Sequence, residues 1–125
     1  MVAQPPPAIQ IVKNGILNAS GTAATEPLWV GGYWKKTIHI KTTGSIKAYV
    51  RSCPSGELDD LYFVKSGYLG SQGGSTDDGD IEHACNNEAI AFEVDVHMNN
   101  LVLVFDNQAS AAISDLQCWL TGVGI

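Results

Sequence analysis

The chain has 125 residues, 45% of them apolar, only 16% charged, with a formal net charge of -6. This length suits one hydrophobic core, the apolar content excludes disorder by composition, and seven basic residues are too few for a nucleic-acid groove. No apolar run approaches the ~20 residues of a membrane span, and the N-terminus lacks the basic and apolar regions of a signal peptide, so a protein made in the cytoplasm with no membrane contact is expected.

Residues 1–8 carry three consecutive prolines, Pro5, Pro6 and Pro7, which cannot form helix or a sheet ladder. This stretch is read as an extended arm, either unattached or lying on a neighbouring subunit, and residues 9–125 as one domain. Ile9 to Leu17 has strand character interrupted by Asn14-Gly15, a dipeptide suited to a tight turn or bulge. Asn18 to Glu26 is small and polar and is predicted as loop; Pro27 to Gly32 holds a short apolar segment at a glycine corner.

The strongest periodicity runs from Trp34 to Ser52. Ile38 and Ile40 alternate with Thr37, His39 and Lys41; after Thr42-Thr43-Gly44, Ile46, Ala48 and Val50 alternate with Lys47, Tyr49 and Arg51. The pattern predicts an antiparallel hairpin with Lys47, Tyr49 and Arg51 facing solvent and with Lys36, on the apolar parity, snorkelling outward. Leu61 to Val64 predicts a short strand, Gly70 to Asp80 a long exposed loop, and Ala89 to Val96 a half-exposed strand. Leu101, Val102, Leu103, Val104 and Phe105 are apolar on both parities, as expected of a strand covered on both faces or packed on another subunit. The last strand, Ala112 to Leu120, turns Leu116, Cys118 and Leu120 inward and Gln117 and Trp119 outward, with Gly122 and Gly124 predicting a loose tail. Seven or eight strands result, an all-β antiparallel sandwich or jelly roll with a proline-rich N-terminal arm.

Site chemistry is sparse. No nucleophile elbow occurs, and His39, His83 and His97 fall on exposed parities or beside the acidic loop, so no catalytic residue and no cofactor are expected. Asp77, Asp78, Asp80 and Glu82 are calcium candidates by charge, but their spacing departs from the EF-hand, and a solvated turn cluster is the preferred reading. His83 and Cys85 lack the further ligands of a zinc site. The three cysteines, Cys53, Cys85 and Cys118, are read as small apolar residues in a reduced protein. Trp29, Tyr33, Trp34, Tyr49, Tyr68 and Trp119 offer rings for sugar binding or for protein contact.

From Trp34 onward, the segments WKKTIHIKTTGSIKAYVRSCPSGELDDLYFV and NNLVLVFDNQASAAISDLQCWLTG resemble small β-sandwich virion proteins of tailed bacteriophages. The resemblance implies a capsid decoration or cement protein in the virion. It would bind the major capsid protein or another virion protein and self-associate as a homo-oligomer, a trimer foremost. A carbohydrate-binding module of a head-fibre or tail accessory protein is the alternative. On this reading Pro5, Pro6, Pro7, Ile9, Trp119 and the Leu101 to Phe105 strand contact neighbours.

Overall fold

A computed structural model describes residues 9–58, 60–65, 68–72, 82–94 and 98–124. The described residues are all-β and antiparallel, in nine strands: β1 (Ile9–Leu17), β2 (Thr22–Ala24), β3 (Leu28–Trp29), β4 (Tyr33–Ser52), β5 (Tyr62–Lys65), β6 (Tyr68–Gln72), β7 (His83–Val94), β8 (Asn100–Asn107) and β9 (Ile113–Gly124).

The architecture follows from β4, a single strand of 20 residues. Its first half pairs with β9, from Tyr33↔Gly124 to Lys41↔Gln117, and its second half pairs with β8, from Ile46↔Asn107 to Ser52↔Leu101. β7 runs along the other edge of both halves, from Lys36↔Val94 to Ala48↔His83, with a register shift between Thr42 and Ser45. The β4–β7 ribbon is therefore a shared spine with two wings, β9–β1 and β8 with β2 and β3. Leu116, Cys118 and Leu120 of one wing join Leu101, Leu103 and Phe105 of the other in one buried cluster, so the inner faces of the wings pack as in a sandwich.

The predicted hairpin at Thr42-Thr43-Gly44 is thus a bend within one strand. Ile38, Ile40, Ile46, Ala48 and Val50 are all buried and all even-numbered, the parity an uninterrupted strand keeps. Asp115 holds the bend. Its carboxylate accepts from Thr42 Oγ1 at 2.9 Å, from Thr43 Oγ1 at 2.6 Å and from Thr43 N at 3.1 Å. Gly44 is required there because a Cβ would stand 2.3 Å from Ile113 Cδ1.

A second, smaller cluster of Tyr49, Cys53, Leu61, Val102 and Val104 covers the outer face of the β4–β8 pair. It explains why Leu101 to Phe105 is apolar on both parities: odd residues enter the main core and even ones meet the outer layer, all within one chain. Three expectations are corrected here. Tyr49 and Arg51 are buried under this layer, and Lys36 is fully buried where an outward stem was expected. The glycine-bearing tail continues β9 as far as Gly124, with Gly122 so close to Lys35 O that a Cβ would stand 2.3 Å from it.

Candidate functional site

The two sides of the sandwich differ. On the spine side the sheet is continuous through β4 and β7, and the His83 and Phe92 rings of β7 stack 3.6 Å apart at an interplanar angle of 5°. On the opposite side the wings end in edges with no described strand pairing between them. β1 pairs with β9, and β2 and β3 pair with β8. Between these edges lies a cleft of about 340 Å³ lined by Ile9, Val12, Ile16, Leu17, Ala24, Leu28, Phe105 and Leu116.

The sequence builds this open side from both wings. In β1, Asn14 takes a φ of 51°, Val12 Cγ1 reaches to within 2.5 Å of where a Gly15 Cβ would stand, and the register against β9 shifts three times. Asn14-Gly15 thus makes a bulged strand; no hairpin forms. Opposite it, the segment expected to be loop contains β2, with Thr22↔Asp106 to Ala24↔Val104. Leu103 and Thr25 then fix the approach to β3: Thr25 N donates to Leu103 O at 2.9 Å, and Leu103 N donates to Thr25 Oγ1 at 3.0 Å.

Asn107 ties β8 to the chain just after β1 and to the turn before β9. It is buried, its Nδ2 donates to Asn18 O and Ala111 O at 3.0 Å each, and its Oδ1 accepts from Ala109 N at 3.0 Å. Ile9, Ile11, Val12 and Leu28 are only partly buried against the core. Ile16, lining the cleft, is 72% exposed, and Trp29, next to Leu28, is 64% exposed.

A second concavity lies on the outer face of the β7–β4–β9 sheet, about 470 Å³, where Ala89 and Ala91 lie beside His39, Lys41, Trp119 and Thr121. His39 Nε2 and Thr121 Oγ1 are 3.0 Å apart. Trp119 is half-buried here. The rings named from the sequence do not gather into one platform: Tyr33 and Tyr49 are buried, Trp29 belongs to the β8 wing and Trp119 to the β9 wing. The side chains of Trp34 and Tyr68 lie outside the described residues.

Of the expected interface residues, Ile9 lines the open cleft and Trp119 the outer groove. Leu101, Val102, Leu103, Val104 and Phe105 are corrected, since their own domain covers them to within 8% exposure. Pro5, Pro6 and Pro7 lie outside the described residues, as do the calcium candidates Asp77, Asp78 and Asp80 and the ring of His97. Glu82 is exposed; its carboxylate meets Lys47 Nζ at 3.3 Å and accepts from Tyr49 OH at 3.3 Å. Among the described residues no three His, Cys, Asp or Glu side chains come together as metal ligands.

The three cysteines are buried, and Cys53 Sγ donates to Glu57 O at 3.0 Å. Burial pushes the Cys118 thiol up to about 12. Burial, with the Glu88 carboxylate second, also raises Cys85, whose Sγ donates to Glu88 O at 3.2 Å. Both are held away from the reactive thiolate form. The Asp115 carboxyl is held below its ordinary value, first by the Thr43 hydroxyl.

No family model matches the chain, and no curated protein matches it. Among solved structures it is similar to PirA, at 8% identity and a TM-score of 0.48, over 96% of each chain. It is also similar to a structure from Bacillus endospore appendages, described as disulfide-linked pili, at 11% identity and a TM-score of 0.44. That match covers 100% of this chain and 96% of the other. These matches correct the expected phage capsid decoration or cement protein, because neither structure is a phage virion protein. At such identity and TM-score they assign no function in its place.

Proposed function

We propose that this domain is a non-enzymatic building block that associates with further copies of itself through the open side of the sandwich. The observation that carries the reading is the pair of sheet edges, β1 and β2–β3, which among the described residues have no pairing with each other across an apolar cleft. An edge strand presents free N–H and C=O groups, and an apolar cleft beside it receives the side chains of an added strand. The exposed side chain of Ile16 supplies apolar area at the rim.

The bulges and Lys13 in β1 limit how far a regular ladder extends. Association therefore draws on side-chain burial more than on a long run of backbone bonds. Burying an aliphatic side chain is worth ~1.5–3 kcal/mol, so a few such groups per copy give a concentration-dependent complex.

Sedimentation velocity over a hundredfold concentration range tests this. The expected outcome is a concentration-dependent increase in mass that Ile16→Glu weakens at least tenfold, with the circular dichroism spectrum unchanged. A monomer at every concentration would remove the reading.

A further inference from the structure

Resting on that reading, we infer that the cleft is filled by residues 1–8 of a second copy, and that the exchange is mutual, giving a closed two-fold dimer. The inference starts from where the arm leaves the domain. Ile9, the first described residue, itself lines the cleft, so residues 1–8 depart from its rim.

To enter its own cleft alongside β1, the chain would have to reverse within Gln4-Pro5-Pro6-Pro7-Ala8. The commonest two-residue antiparallel reversals use positive φ, supplied by Gly or Asn. Proline fixes φ near −65°, and each residue preceding a proline is biased to extended backbone. The arm's sequence therefore opposes a hairpin into its own domain and favours projection onto another.

The reach and chemistry of residues 1–8 fit the receiving surface. Eight residues at ~3.1 Å each span about 25 Å, comparable to the roughly 30 Å of a nine-residue strand such as β1. Val2, Ala3 and Ala8 with three proline rings are apolar and match a lining of Ile9, Val12, Leu28, Phe105 and Leu116. Met1 to Gln4 and Ala8 offer backbone donors and acceptors to the edges, while the prolines demand no partner for a missing N–H. Proline also loses little conformational freedom on docking, which lowers the ordering cost.

Symmetry follows from position. Donor exit and acceptor cleft occupy one surface, so the contact is isologous: each copy's arm enters the other's cleft, and the assembly closes at two. Head-to-tail growth would need the two on different faces.

The test compares the mass in solution of the full chain and of a chain lacking residues 1–7. It adds fluorescence-anisotropy titration of the truncated chain with a labelled peptide of residues 1–8. The expected result is a dimeric full chain, a folded monomeric truncation, and saturable peptide binding that Ile16→Glu weakens at least tenfold. A truncated chain that still dimerises would overturn the arm as occupant and leave self-association standing. A monomeric full chain whose truncated form binds the peptide would place each arm in its own cleft and overturn the exchange. Absence of both association and peptide binding would overturn the inference together with the reading on which it rests.

Discussion

The spine side and the open side of this sandwich are both antiparallel, yet the described strands are long and continuous on one and short or bulged on the other. At the spine, β4 and β7 carry the sheet around a bend that Asp115 pins through Thr42 and Thr43, and His83 stacks on Phe92. At the open side, β1 is bulged and β2 and β3 are three and two residues long, and the cleft between them is lined with half-buried Ile and Leu side chains. On the proposed reading, the difference separates stability from association: the ribbon and β8 hold the fold, while the edges that have no mutual pairing among the described residues are the contact surface.

Substitutions should separate the two. Leu103 is fully buried at the centre of β8, so Leu103→Ala should cost ~2–5 kcal/mol in urea unfolding. The same experiment on Ile16→Ala should show a change within ~0.5 kcal/mol, because that side chain contributes little to the isolated fold. Comparable losses at both positions would erase the distinction. Next in size, Gly44→Ala should cost ~1–3 kcal/mol through collision with Ile113. Ile113→Val should recover part of this in a double-mutant cycle, and purely additive losses would deny that the bend depends on their contact.

The smallest effect concerns pH. Asp115 has a lowered carboxyl pKa in the fold, so its contribution is fully present above the unfolded value of about 3.8 and is lost as pH falls through the lower folded value. Asp115→Asn should lower Tm modestly at pH 6, and the gap to the parent should narrow as pH falls below about 4. A gap that is constant with pH would mean that the geometry of the bend, and not the carboxylate charge, is what Asp115 supplies.

Much of the fold was legible because alternation records burial directly. The even parity of Ile38 to Val50 survives across Gly44, and this continuity was the available signal that Thr42-Thr43-Gly44 bends a strand without reversing it. The burial of Tyr49 and Arg51 was not legible, since alternation says nothing of a layer brought over a sheet from Cys53 and Leu61. β2 escaped because Thr22-Ala23-Ala24 has no alternation, and its pairing with Phe105 and its neighbours is set by tertiary contact. The candidate site was harder still. Ile9 was named, but a cleft between two edges distant in sequence has no local pattern, and the apolar run Leu101 to Phe105 drew attention to a strand that its own chain covers.

Amide hydrogen exchange measured as a function of protein concentration tests most directly whether the open side is the association surface. Protection should rise with concentration in Ile9–Leu17 and Thr22–Trp29 and stay constant in the β4–β7 ribbon. Unchanged protection at β1 to β3, or a rise confined to β7, would contradict it.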